Sequence, residues 1–143
     1  MSAYVIDASV AVKWLLPEVH SACAVKFLQP AFQLSVPDLL FIEAANIFWK
    51  KHRLQEITGD EVVLLLDAVR KLPLKKHASY ELLDAGLELA CALNCTVYDC
   101  LYLSLAILLN RRLVTADRRF FNVITASPFS RNVIWVEDGP AHA

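Results

Sequence analysis

Ala3-Tyr4-Val5-Ile6 runs directly into Asp7, and Ser9 then opens a short helical stretch from Val10 to Leu16 that Pro17 stops. The first four residues are β-prone and apolar almost throughout, as in a strand covered on both faces within a parallel sheet. An acid therefore stands at a strand-to-helix junction. Outward from this unit the alternation continues. Ser21 to Leu28 reads as a short helix, and Gln33-Leu34-Ser35-Val36 as a strand leading into Pro37-Asp38. Asp38 to Lys51 reads as a helix with Leu39, Ile42, Asn46 and Trp49 on one line, and the basic end Lys50-Lys51-His52-Arg53 suits its dipole. Thr58 and Glu61 carry a capping-box signature for a helix to Lys71, and Leu72-Pro73-Leu74 is a weak edge strand because proline removes a ladder donor. Ser79 starts a helix to Leu93, and Thr96 starts another to Asn110. Leu113-Val114-Thr115 is a strand ending at Asp117, and Asn132-Val133-Ile134-Trp135-Val136 is the last. The chain shows no repeat, linker or low-complexity segment. The expected fold is α/β, a three-layer α/β/α sandwich with a central parallel sheet, and residues 1–143 are long enough for one domain with one core.

Hydrophobic residues make up 57% of the chain and charged residues only 20%, with a mean hydropathy of +0.43, which excludes a disordered chain and leaves apolar side chains for a partner surface. A net charge of -1 provides no global field for nucleic acid, so any such contact depends on local basic patches or bound cations. Cys23, Cys91, Cys95 and Cys100 lack CxxC spacing and read as buried thiols of a reducing cytoplasm. Cys91 and Cys95, four apart, fit one helix face, but no nearby His or Cys pair completes a zinc set. The N-terminus has no basic region followed by a long apolar one, so no signal peptide is expected. The longest apolar run, Leu101 to Leu109 interrupted by Ser104, falls short of the roughly 20 residues of a membrane span. The expected setting is cytoplasmic, with no membrane.

Ligands of open parallel sheets bind beyond the carboxyl ends of the strands, where Asp7 and Asp117 stand. Each also suits a turn or helix N-cap on its own account. Asp99 falls three residues after the cap Thr96, where a carboxylate can reach back to the cap N–H, but the helix behind it is too apolar to be exposed. Glu43 is mid-helix within an apolar stretch and has no capping role, and Asn46 on the same face can orient it or a water. Carboxylates gathered in one pocket repel one another and are tolerated when hard cations share them. Oxygen-only ligands select magnesium or manganese, and two such ions about 4 Å apart hydrolyse phosphodiesters. Ser9 and Thr115 stand two residues from Asp7 and Asp117, in reach of a metal-bound water or a phosphate oxygen.

Four segments carry a resemblance. They are Val5-Ile6-Asp7-Ala8-Ser9-Val10-Ala11-Val12-Lys13-Trp14, Pro37-Asp38-Leu39-Leu40-Phe41-Ile42-Glu43-Ala44-Ala45-Asn46, Tyr98-Asp99-Cys100-Leu101-Tyr102-Leu103-Ser104-Leu105-Ala106 and Leu113-Val114-Thr115-Ala116-Asp117-Arg118-Arg119-Phe120. In this order they resemble the PIN-domain family, specifically its VapC-type toxins of bacterial toxin-antitoxin pairs. The resemblance implies a magnesium- or manganese-dependent endoribonuclease in which Asp7, Glu43 and Asp99 carry the core metal site and Asp117 completes it. It also implies a cognate antitoxin that covers the site. Two positions depart from the pattern: Cys100 replaces a small residue, and Phe120 stands where some relatives place another carboxylate.

RNA phosphates could be held by Arg118 and Arg119, by Arg111 and Arg112, or by Lys50 to Arg53, and each of these groups equally suits a helix dipole or a solvated face. Lys13 and Trp14 are candidates for a substrate or antitoxin surface. Apolar residues Trp14, Leu15, Leu16, Phe48 and Trp49 are expected to dock an antitoxin or a second copy in a homodimer. A phosphohydrolase with an aspartyl nucleophile would want an acid two residues after Asp7, where Ser9 stands instead. The rival reading is an inactive PIN-like module that binds RNA or protein.

Overall fold

The computed structural model describes residues 2–140. Strands β1 (Ala3–Ile6), β2 (Gln33–Pro37), β3 (Leu74–His77), β4 (Arg112–Thr115) and β5 (Val133–Trp135) form one sheet in the order β3-β2-β1-β4-β5. All four pairings are parallel. Helices α1 (Ala8–Ala11), α2 (Ser21–Val25), α3 (Leu39–Arg53), α4 (Gly59–Arg70), α5 (Leu83–Leu93), α6 (Val97–Leu109) and α7 (Arg118–Thr125) fill the connections. Val5, Ile6, Val36, Leu113 and Val114 are fully buried, which explains why these strands read as apolar runs without alternation. The chain moves from β1 out to β2 and β3, then returns across β1 to β4 and β5. Right-handed crossovers place α1 to α4 on one face and α5 to α7 on the other, which makes the three-layer sandwich.

The core centres on α6, in which every residue from Cys100 to Ala106 is buried against β1, β2 and β4. A helix apolar all round is stable only in such a place. The capping box at the start of α4 forms in both directions between Thr58 and Glu61. Among the described residues no single helix is long and apolar enough to cross a membrane.

Several local expectations are corrected. Helix α1 begins at Ala8, with Asp7 in the N-cap position, and gives way to a 3-10 turn at Val12–Trp14. The edge strand starts at Leu74, after Pro73, because the proline cannot donate to the ladder. Helix α7 was not legible, since Arg118 to Thr125 is aromatic, β-branched and polar. It forms because Asp117 caps it and because Phe120 and Ile124, one turn apart, are both buried. Asn94 ends α5 in the left-handed conformation (φ 56), so Cys95 lies beyond the helix that holds Cys91 and the two share no face. Cys91 is exposed, Cys23 and Cys95 are half-buried, and only Cys100 is a fully buried thiol, its pKa pushed up to about 12 by burial.

On α3 the buried line is Leu40, Ala44 and Phe48. Ile42 and Trp49 from the sequence-based line are 69% and 54% exposed. Phe48 therefore belongs to the core and not to a docking surface. Phe48→Ala should cost about 3–5 kcal/mol in urea unfolding, whereas Trp49→Ala should cost less than about 1 kcal/mol. Equal losses would mean that the helix is rotated from the orientation described.

Candidate active site

The strand order reverses at β1, and the carboxyl ends of the strands flanking that reversal leave a crevice for ligands. Asp7 follows β1 directly, and its N–H donates to the Val114 carbonyl at 3.1 Å, which ties it to the end of β4. Asp117 lies two residues past β4, Glu43 in the second turn of α3 and Asp99 in the first turn of α6. All four acids line one cleft of about 480 Å³, together with Ala8, Ser9, Asn46 and the apolar Leu39, Ile42, Ile47 and Tyr98. Acids more than a hundred residues apart in the chain therefore share one opening.

Asp7 is the buried member, 6% exposed. Ser9 Oγ donates to its Oδ2 at 2.7 Å and Thr115 Oγ1 donates to the same atom at 2.9 Å. The two hydroxyls are themselves held in place, since Ser9 Oγ accepts from Ala116 N at 3.0 Å and Thr115 Oγ1 from Asp117 N at 3.1 Å. Ser9 and Thr115 thus act as orienters of Asp7, and their protons are committed to it instead of to a water or phosphate. Burial pushes the Asp7 carboxyl up to about 7 against the pull of the two hydroxyls, and the charges of Asp99 and Glu43 push the same way.

Glu43 is half-buried and accepts from the Tyr102 hydroxyl at 2.5 Å. Its pKa is raised by burial and by Asp99, and lowered by the Tyr102 bond. Asp99 is raised by burial and by Asp117, while the Thr96 hydroxyl and Arg119 pull it down. Thr96 caps α6 by accepting from Asp99 N at 3.1 Å, but the reciprocal bond of a capping box is not formed, so the Asp99 carboxylate is not occupied at the cap N–H. Asp117 keeps its structural role, with Oδ1 accepting from Phe120 N at 3.2 Å at the head of α7.

Tyr102 was missed by sequence reasoning. Its signal is its place on α6, three residues after Asp99 and so on the same face of the helix. Asn46 lines the cleft, but it is Tyr102 that orients Glu43. Lys13 pairs with Glu18 at 3.7 Å, and Trp14 is half-buried with its indole N–H donating to the Ala24 carbonyl at 2.7 Å. Lys51 bridges Glu18 and Glu56, and Arg111 is tied to Ser35 and Gln33.

The donor set fits a hard divalent cation. It is made of oxygens alone, and both hydroxyl donors to Asp7 meet Oδ2, so Oδ1 has no side-chain donor among the described residues. Among those residues no three His, Cys, Asp or Glu groups form a finished metal cage. Magnesium is usually held by one or two carboxylates and water, so the acids around the cleft suffice in smaller combinations.

Residues 4–124 match the PIN domain. The chain belongs to the PIN domain family. Over 117 residues, 80% of this chain and 89% of the relative, it is 33% identical to Ribonuclease VapC3 of Pyrobaculum aerophilum. A solved structure from the same organism superposes with a TM-score of 0.71 at 26% identity, covering 95% of this chain and 90% of the other. VapBC2 from Rickettsia felis, bound to a DNA fragment from the promoter, gives 0.64 at 17% identity, covering 93% and 96%. A toxin-antitoxin complex from Klebsiella pneumoniae gives 0.62 at 14%, covering 92% and 95%. At these last two identities the likeness shows the PIN fold alone.

The buried acid makes the stability of the metal-free PIN domain depend on pH. Folded, Asp7 keeps its proton to about pH 7, whereas its ordinary pKa is 3.8, so the folded state binds more protons between those values. Stability from this group is therefore present at low pH and is lost as pH rises through that window. In EDTA, wild type should be less stable at about pH 8 than at about pH 5, and Asp7→Asn should flatten the trend and stabilise the protein at the higher pH by on the order of 2–4 kcal/mol. Thermal melts across pH check this, and a variant less stable than wild type at high pH would contradict it.

Proposed function

We propose that this chain is a magnesium- or manganese-dependent endoribonuclease acting as the toxin of a type II toxin-antitoxin pair. The observation that carries the reading is the convergence of Asp7, Glu43, Asp99 and Asp117 on one cleft around a buried carboxyl that has no cationic partner among the described residues. Membership of the PIN domain family and the likeness to a protein named as a ribonuclease support it. Asp7, Glu43 and Asp99 would hold the cation, and Asp117 would complete the set. Such a cation, when bound, offsets the repulsion of the acids and polarises water and phosphate for hydrolysis of the phosphodiester. The chain's own residues prepare the site. Ser9 and Thr115 fix the Asp7 rotamer, and Tyr102 fixes Glu43.

A cognate antitoxin would cover the cleft and the exposed apolar residues near it. On the α3–α4 pair these include Ile42, Trp49, Leu54, Val63 and Leu64. Two solved structures of this fold hold toxin and antitoxin components together, which supports that partner. A homodimer and a cytoplasmic setting complete the proposal.

Purified protein should cleave at least one RNA in a panel of transfer, ribosomal and messenger RNAs when magnesium or manganese is added, and EDTA should stop it. Asp7→Asn and Asp99→Asn should remain folded and each lose about a hundredfold or more in rate, as expected for loss of several kcal/mol of transition-state stabilisation. Cleavage that survives in EDTA, or that either variant leaves unchanged, would overturn the metal-dependent reading. No cleavage of any RNA with either metal would favour an inactive PIN-like binding module. Expression of the chain alone should slow growth, and coexpression with a neighbouring small gene should relieve it.

A further inference from the structure

Asp99 and Asp117 stand between two cavities with different linings. The first is the cleft described above, whose outer wall includes Leu39, Ile42, Ile47 and Tyr98. Tyr98 is 62% exposed. The second, about 320 Å³, is lined by Asn94, Cys95, Thr96, Arg119 and Phe120, and it shares Asp99 and Asp117 with the first. One side of the acids therefore carries an exposed aromatic ring among apolar side chains, and the other carries a guanidinium among mixed polar and apolar ones.

The neighbouring arginines Arg118 and Arg119 differ sharply in what they face. The Arg118 guanidinium lies 3.8 Å from the centre of the Trp135 ring and 5.4 Å from that of Phe121, held by cation–π attraction on the far side of α7. Arg119 makes no salt bridge among the described residues, yet it lines the cavity that contains Asp99 and Asp117. At the α3 end, Lys51 bridges two glutamates and Arg53 lies over Trp49. A strand of RNA has the same division as the two cavities, with flat apolar base faces and anionic phosphates.

We propose that single-stranded RNA crosses the acids with a base stacked on Tyr98 and a phosphate next to the scissile one held by Arg119. This inference rests on the ribonuclease reading for its reaction, though not for its contacts. A guanidinium fork suits a phosphate, and an aromatic face accepts any base, so together they set the polarity of the strand without reading its sequence. Arg118, committed to Trp135, takes no part.

The test measures binding and cleavage separately on the full chain. Binding is followed by the anisotropy of a short fluorescein-labelled single-stranded RNA in calcium, and cleavage of the same RNA in manganese. Arg119→Ala should weaken binding roughly tenfold and raise KM more than it lowers kcat, with Arg119→Lys recovering part of the loss. It should also reduce the salt slope of binding by about one. Tyr98→Ala should weaken binding by about tenfold and Tyr98→Phe should restore it. Arg118→Gln should bind and cleave as wild type does. Wild-type binding by Arg119→Ala overturns the phosphate contact, and wild-type binding by Tyr98→Ala overturns the base platform. If Arg119→Ala weakens the binding of calcium alone as much as that of RNA, the substitution acts by disturbing the acids and the inference falls; if it tightens calcium binding and leaves RNA binding unchanged, Arg119 is only a counter-charge of the acids and the inference falls as well. Cleavage by wild type with either negative result leaves the ribonuclease reading standing. Arg119-dependent binding without cleavage leaves the contacts standing and removes the ribonuclease reading, and a wild type that binds no single-stranded RNA removes the inference.

Discussion

The burial of the Asp7 carboxyl at the end of β1 is the constraint around which the site is built. A carboxyl out of water favours its neutral form, and the two hydroxyls from Ser9 and Thr115 recover only part of the lost solvation. Both hydroxyls come from backbone that the sheet itself positions. Thr115 ends β4, which pairs with β1, and Ser9 sits in the first turn after β1. The hydrogen bonds from Ala116 N and Asp117 N then make the hydroxyls into a rigid bridge between the two strand ends. The position of Asp117 follows from the same bridge, because its N–H is one of the donors.

The remaining acids arrive on helices whose packing is decided elsewhere. Glu43 reaches the cleft because α3 buries Leu40, Ala44 and Phe48, which turns the opposite edge of the helix toward the opening. Asp99 reaches it because the apolar length of α6 has to lie on the sheet, leaving its first turn at the carboxyl ends of the strands. Tyr102 joins the two helices through Glu43, so a buried phenol on one positions a carboxylate on the other. The energetic cost of bringing four acids together is thus borne by the core. A folded chain that holds mutually repelling groups so firmly has a surplus of negative charge at one opening, and a cation is the simplest way to balance it.

The same packing gives neighbouring basic residues different surroundings. In the chain Arg118 and Arg119 are equivalent neighbours at the head of a helix. A helix turn of about 100° per residue sends them to different surroundings, one onto Trp135 and the other to the cavity beside Asp99. Trp14 and Phe48 show the reverse effect on apolar residues. Both looked available for a partner, but the indole N–H of Trp14 is bonded inside and Phe48 is fully buried, whereas Trp49 next to it is exposed.

The sequence by itself determined the alternation of elements, the parallel sheet and the four acids, because each rests on local signals. Short apolar runs mark doubly covered strands, Thr58 and Thr96 mark helix starts, and an acid after each of β1 and β4 marks the ligand edge. It did not determine α7, the face that α3 buries, or the roles of Ser9, Thr115 and Tyr102. Those depend on contacts between residues distant in the chain. Thr115 is 108 residues from Asp7 and Tyr102 is 59 from Glu43, and no period or propensity encodes which hydroxyl meets which carboxylate. Only the tertiary structure decides this, because the strand register and the helix packing set the distances over which a hydrogen bond can form.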